Sequence, residues 1–214
     1  MQGFSIGIVN YSKRSTPILS TMTSSVDNPI HITFVDDPLW RSLIIGIKIT
    51  NFTPNVSIPI GWTATAGLIT IDPSIASQIR IPGFYTISVI AGGYMDAPVS
   101  LNLLAGAVSN LIITRQPSSP VTNGGLLSTQ PLVKLTDKYG NAEPGYNVVA
   151  SPVGSWSLGG TATQSTISGS PAGTAIFNNL TSTRGGSPIT GAQIVFTVSG
   201  SPSIIATSSL FNIP

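Results

Sequence analysis

Apolar residues recur at every second position in short runs along this chain, and that period of two constrains the fold more than any other feature. Between Ala192 and Val198, the residues Ala192, Ile194, Phe196 and Val198 share one face, while Gln193, Val195 and Thr197 share the other. The same alternation marks Phe4, Ile6, Ile8; Ile30, Ile32, Phe34; Ile45, Ile47, Ile49; Tyr85, Ile87, Val89; and Val99, Leu101, Leu103. Clusters such as Gly92-Gly93, Asn123-Gly124-Gly125, Tyr139-Gly140-Asn141, Gly159-Gly160 and Gly185-Gly186 punctuate these runs with residues suited to turns. No long stretch carries an apolar stripe at helical spacing with caps, so the expectation is an all-β protein with essentially no long helix. A short helical turn is expected around Asp72-Pro73-Ser74.

The chain repeats itself imperfectly. FSIGIV near residue 4 answers LIIT near 111, and PIHITFVDD from Pro29 answers PLVKLTDKYGN from Pro131. GWTATAG from Gly61 answers GSWSLGG from Gly154, GFYTISVIAGG from Gly83 answers GAQIVFTVSG from Gly191, and APVSLNLL from Ala97 answers ATSSLFNI from Ala206. A shared order of landmarks with drifting spacing is what loop insertions produce in a duplicated module. Two domains, 1–106 and 107–214, follow, each of about seven short strands, a number that suits a two-sheet immunoglobulin-like sandwich. With no cysteine for an inter-sheet disulfide, Trp62 and Trp156 are the expected large aromatics between the sheets.

Charge is scarce: 7% of residues against roughly 25% in an average soluble protein. The 41% hydrophobic content and formal charge of +2 exclude the low-hydropathy, high-charge signature of disorder. The sequence pI of about 9.1 rests on nine scattered basic residues, with Lys13-Arg14 the one adjacent pair, so a nucleic-acid partner is not expected. Nor is membrane insertion, because no run approaches a spanning length. No signal peptide is recognisable at the N-terminus.

The second half resembles the bacterial immunoglobulin-like repeats of secreted surface proteins, adhesins and S-layer-associated arrays. The features that carry the resemblance are Gln116-Pro117 closing the opening strand, Gln130-Pro131 before an apolar strand, Asp137 with Gly140-Asn141 in a turn, and the later Gly173, Ala175, Phe177 and Leu180. The first half has Asp36-Asp37-Pro38 where the Gly-Asn turn would stand and no Gln-Pro pair, so its kinship rests on the internal repeat. The resemblance implies a structural or adhesive spacer at the cell surface or outside the cell, with neighbouring immunoglobulin-like modules of the same or another chain as partners. The chain ends coincide with module ends, so the sequence reads as a two-module excerpt of a longer array. The alternatives are a subunit of a self-assembling filament, S-layer or virion structure, and a carbohydrate-binding accessory module.

Chemistry-bearing residues are few. His31, the single histidine, alternates with Ile30 and Ile32 and is expected to point away from the core, so no catalytic base and no enzyme are expected. No cofactor is expected, except that Asp27, Asp36 and Asp37 in loops at one end could supply oxygens to calcium. For a cell-envelope or surface glycan, Trp40, Tyr94, Tyr139 and Tyr146 lie near turns. Trp40, after Asp37-Pro38, is the aromatic most expected to be exposed, with Tyr94 second in interest. Asp137, Gly140 and Asn141 read as a structural turn, in which Gly140-Asn141 can adopt positive φ and Asp137 can accept backbone N–H groups. Specific binding is expected first in the loops around Asp36 to Trp40.

Overall fold

The computed structural model describes residues 12–214, so the run at Phe4, Ile6 and Ile8 lies outside the described residues. The chain divides into two compact units, Met1–Leu104 and Ala105–Pro214. Gly106 falls in the second of these, tied there by its amide, which donates to Asp137 Oδ2 at 3.0 Å.

The first unit holds strands β1 (Leu19–Thr21), β2 (Ser24–Ser25), β3 (Ile30–Phe34), β4 (Ile44–Ile49), β5 (Val56–Ile58), β6 (Trp62–Thr65), β7 (Leu68–Ile71), β8 (Gly83–Ala91) and β9 (Ala97–Leu104). They form two sheets, β1-β3-β7-β6 and β2-β9-β8-β4-β5. Every pairing between these described strands is antiparallel except β2 on β9. The opening strand thus starts on one sheet and finishes, parallel, on the other. This is the immunoglobulin-like arrangement, with β3, β7 and β6 in the B, E and D positions and β4, β8 and β9 in the C, F and G positions. Among the described residues of this unit the helical pieces are α1 (Pro38–Ser42), between β3 and β4, and a single 3-10 turn at Ser77–Ile79. The amides of Ile75 and Ala76 both donate to the Asp72 carbonyl, which makes the turn expected there.

Alternation along β3 is complete: Ile30, Ile32 and Phe34 are buried and His31 and Thr33 exposed. Tyr85, Ile87, Val89, Val99, Leu101 and Leu103 are likewise buried, each full-sized aliphatic contributing about 1.5–3 kcal/mol. β4 departs from the expected pattern. Ile47 and Ile49 are buried, but Ile45 is 74% exposed, because the register against β8 shifts between Ile44 and Gly46 and turns Ile45 outward.

The second unit holds β10 (Val108–Arg115), β11 (Ser118–Pro120), β12 (Leu127–Thr129), β13 (Leu132–Asp137), β14 (Asn147–Val153), β15 (Trp156–Gly159), β16 (Thr163–Ser165), β17 (Thr174–Ile176), β18 (Thr181–Arg184), β19 (Ile189–Val198), β20 (Ser201–Thr207) and β21 (Phe211–Ile213). Sheets β10-β13-β17 and β16-β14-β19-β20 are accompanied by the separate two-stranded ladders β11-β12 and β15-β18, and β21 also pairs with β19. Their core includes Val133, Leu135, Val148, Ala175, Phe177, Leu180, Ala192, Ile194, Phe196 and Val198. Phe177 packs on Phe196 with ring centroids 5.3 Å apart.

The repeat landmarks translate unevenly into topology. β3 and β13 occupy corresponding places beside the opening strand, and β8 and β19 are both the central partners of the larger sheet. β9 and β20 both flank that central strand. The two tryptophan landmarks do not correspond: β6 pairs with the next strand β7, whereas β15 pairs with β18 across two intervening strands. Trp156 is 7% exposed and meets Phe211 edge-on at 5.7 Å. Trp62 is half-buried at the rim, with its indole N–H donating to the Ile58 carbonyl at 3.1 Å, so it is not the core tryptophan of the first unit. Trp40 is.

Candidate functional site

One end of the first unit gathers three connections: β3 to β4 through α1, the β6–β7 turn, and the β8–β9 turn. Its organiser is Asp37, whose Oδ1 accepts from the amides of Leu39 and Trp40, both at 3.0 Å, with Pro38 at the first helical position. Asp followed by Pro is a helix-start signal, since the cap satisfies two orphan N–H groups and proline brings a preset φ. The resulting turn swings Trp40 back under the sheet, where it is fully buried and meets Phe34 edge-on, with centroids 5.0 Å apart.

Asp36 ties α1 to the next turn. Its Oδ1 accepts from Arg41 Nε at 2.9 Å and from the Gly67 amide at 3.3 Å, and its Oδ2 accepts from Arg41 Nη2 at 3.4 Å. The Arg41 guanidinium holds the Asp36 carboxyl below its ordinary value, the Gly67 amide adding to the effect. The other side of α1 is fixed by the Gly92 amide, which donates to the Leu43 carbonyl at 2.9 Å. The chain ahead of β1 also docks here. Arg14 N–H donates to Gly93 O at 3.0 Å, Met95 N–H donates to Arg14 O at 2.9 Å, and the Arg14 guanidinium carbon lies 5.8 Å from the Tyr94 ring centroid. Lys13 Nζ stands 4.0 Å from Asp96 Oδ1.

These elements enclose an open cleft of about 430 Å³, lined by residues 12–14, by Leu39 and Leu43, and by residues 92–94. Leu39 in its lining and Met95, next to Tyr94, are each 50% exposed, and Val35, on the connection from β3 into α1, is 87% exposed. Apolar side chains exposed together on backbone pinned by several hydrogen bonds make a preformed contact surface.

This geometry revises the residues expected to bind. Asp27 lies in the turn before β3, while Asp36 and Asp37 follow it, so the strand, at about 3.3 Å per residue, separates them. Among the described residues no three His, Cys, Asp or Glu side chains group to hold a metal ion, and the carboxylates of Asp36 and Asp37 are engaged as above. The calcium constellation is therefore not assembled. Trp40 is buried rather than exposed, and Tyr94, 4% exposed, lies under Arg14, so neither ring offers an open face to a sugar.

In the second unit Asp137 organises a turn and is fully buried. Its Oδ1 accepts from the amides of Tyr139 (2.8 Å) and Asn141 (2.9 Å), and its Oδ2 accepts from Gly106 N–H (3.0 Å) and Asn141 Nδ2 (2.7 Å). Burial pushes its carboxyl up, but the hydrogen bonds from Asn141, Gly106 and Tyr139 together outweigh it and hold it below the ordinary value. Gly140, at φ +86°, closes the turn by donating to the Asp137 carbonyl at 3.1 Å, whereas Asn141, contrary to expectation, does not take positive φ and serves the turn through its own hydrogen bonds to Asp137. The glutamines of the two Gln-Pro pairs have roles that turn chemistry alone does not reveal. Gln130 Oε1 accepts from Leu180 N–H at 2.9 Å, and its Nε2 donates to the carbonyls of Leu127 and Leu180. Gln116 Oε1 accepts from Ser209 N–H at 2.9 Å.

The chain is an all-β protein of immunoglobulin-like fold. The family model described as heme-binding protein Shr-like, Hb-interacting domain, matches residues 18–103, the greater part of the first unit. No curated protein matches the chain. Among solved structures, domains 4–9 of surface layer protein SbsC align over 95% of this chain and 31% of that one, at 12% identity and a TM-score of 0.39. The titin Ig tandem A164-A165 aligns over 92% and 94%, at 11% identity and 0.39. Cadherin domains 3–6 of protocadherin gamma B2 align over 92% and 47%, at 11% identity and 0.44. The chain thus spans less than a third of the SbsC fragment and about half of the protocadherin fragment.

Proposed function

We propose that this chain is a non-catalytic module pair of an extracellular surface protein, in which the first unit docks a protein partner and the second serves as a structural immunoglobulin-like repeat. The match of residues 18–103 to a domain family described as Hb-interacting carries the reading. The preformed end built on α1 supports it, with Leu39 and Met95 exposed at the cleft, Val35 exposed on the connection into α1, and the connections there tied to neighbours. Haemoglobin is accordingly the first partner to try.

The test is biolayer interferometry of the immobilised full chain against haemoglobin, with serum albumin as the control ligand. Saturable binding to haemoglobin alone, weakened about tenfold or more by Val35→Asp or Leu39→Asp in a chain with an unchanged melting profile, is the expected result. Equal responses to haemoglobin and albumin, or binding indifferent to both substitutions, would overturn it.

A further inference from the structure

Both charged residues that line the α1 cleft are basic. Lys13 and Arg14 stand on one wall, and the apolar side chains of Leu39 and Leu43 form another. The remaining charges at this end are engaged differently. Arg41 and Asp36 neutralise one another at 2.9 Å, and Asp37 is occupied in capping α1. Arg14 lies over the Tyr94 ring and makes no ion pair among the described residues. Lys13 reaches Asp96 only at 4.0 Å, with both side chains more than half exposed. An exposed pair at that distance is worth about 0–1 kcal/mol and is screened by salt, so an incoming carboxylate can displace it.

We propose, building on the docking role above, that the cleft receives an acidic–apolar segment of the protein partner. An apolar side chain seats against Leu39 and Leu43, and a neighbouring carboxylate pairs with Lys13 and Arg14. The backbone is prepared for it: Arg14 is held by main-chain bonds to Gly93 and Met95, and α1 by the Gly92–Leu43 bond, so little ordering cost falls on binding. Charge at such a rim sets selectivity and salt dependence, and the apolar wall sets residence.

The experiment follows amide chemical shifts of the isotope-labelled full chain on titration with three synthetic hexapeptides. The first, Gly-Glu-Leu-Phe-Asp-Gly, carries both features. The second replaces its acids by Gln and Asn, and the third replaces Leu and Phe by Gly. The acidic–apolar peptide should bind about tenfold more tightly than either control and shift residues 12–14, 39–43 and 92–96. Lys13→Glu, a substitution at an exposed side chain, should remove the preference for the acidic peptide over its neutral form, and Lys13→Gln should reduce it. Equal binding of acidic and neutral peptides, shifts centred elsewhere, or no binding by any peptide overturns the inference. Haemoglobin binding measured on the same samples separates the two proposals: if it persists unaltered in Lys13→Glu, the inference fails and the docking role stands; if it is absent from the unaltered chain, the docking role fails.

Discussion

The indole of Trp40 meets the ring of Phe34 edge-on, at 5.0 Å between centroids and 73° between planes. One residue ends β3 and the other belongs to α1, so this contact locks the helical turn to the sheet beneath it. Trp40→Ala should destabilise the first unit by about 3–5 kcal/mol, as expected for emptying a fully buried aromatic site. Trp62→Phe, which loses one rim hydrogen bond, should cost about 1 kcal/mol. Urea denaturation followed by circular dichroism checks both, and a larger loss for Trp62→Phe would contradict the assignment of Trp40 as the core tryptophan.

Asp37→Ala removes the cap from α1 and should cost about 1 kcal/mol. The same change should speed amide hydrogen exchange at Leu39 and Trp40, which donate to that carboxylate, while leaving β3 unaffected. Exchange measured by NMR resolves these amides individually.

The strands were legible in the sequence because one-sided burial imposes a period of two, as Ile30 to Phe34 and Ala192 to Val198 show. Ile45 escaped that logic because a local register shift, set by pairing with β8, changes which face a residue takes. The Asp137 turn could be read from its own residues, since Asp, Gly and Asn act within a few positions of each other. The burial of Trp40 could not be read as easily. A turn residue's exposure depends on where the next element carries it, although Asp37-Pro38 already held the signal for a helix start. The cleft was beyond reach because residues 12–14 meet residues 92–94 only through the fold.

Asp137→Ala leaves four donor groups without their acceptor, three of them main-chain amides, and should destabilise the second unit by about 3 kcal/mol at neutral pH. The pH dependence has a definite sign. The folded-state carboxyl lies below its ordinary value of 3.8, so its contribution is fully present above that pH and is lost as pH falls through the lower folded value. The gap between native chain and variant should therefore be constant from pH 7 to about 5 and shrink below about 4. Urea midpoints across that range are the measurement.

Gly173 has φ +70°, and a Cβ there would lie 2.8 Å from Leu135 O and 2.9 Å from Glu143 N, both main-chain atoms that cannot rotate away. Gly173→Ala should cost at least about 1–3 kcal/mol. Gly169→Ala, with nothing within 4 Å of the new methyl, should be close to neutral. Melting temperatures of the two variants decide it.

The most direct test of the docking account is hydrogen–deuterium exchange of the full chain with and without saturating haemoglobin. Protection confined to residues 12–14, 35–43 and 92–96, with the Asp137 turn unchanged, is the expected result. Protection centred on the second unit, or none in any of these segments, would contradict it.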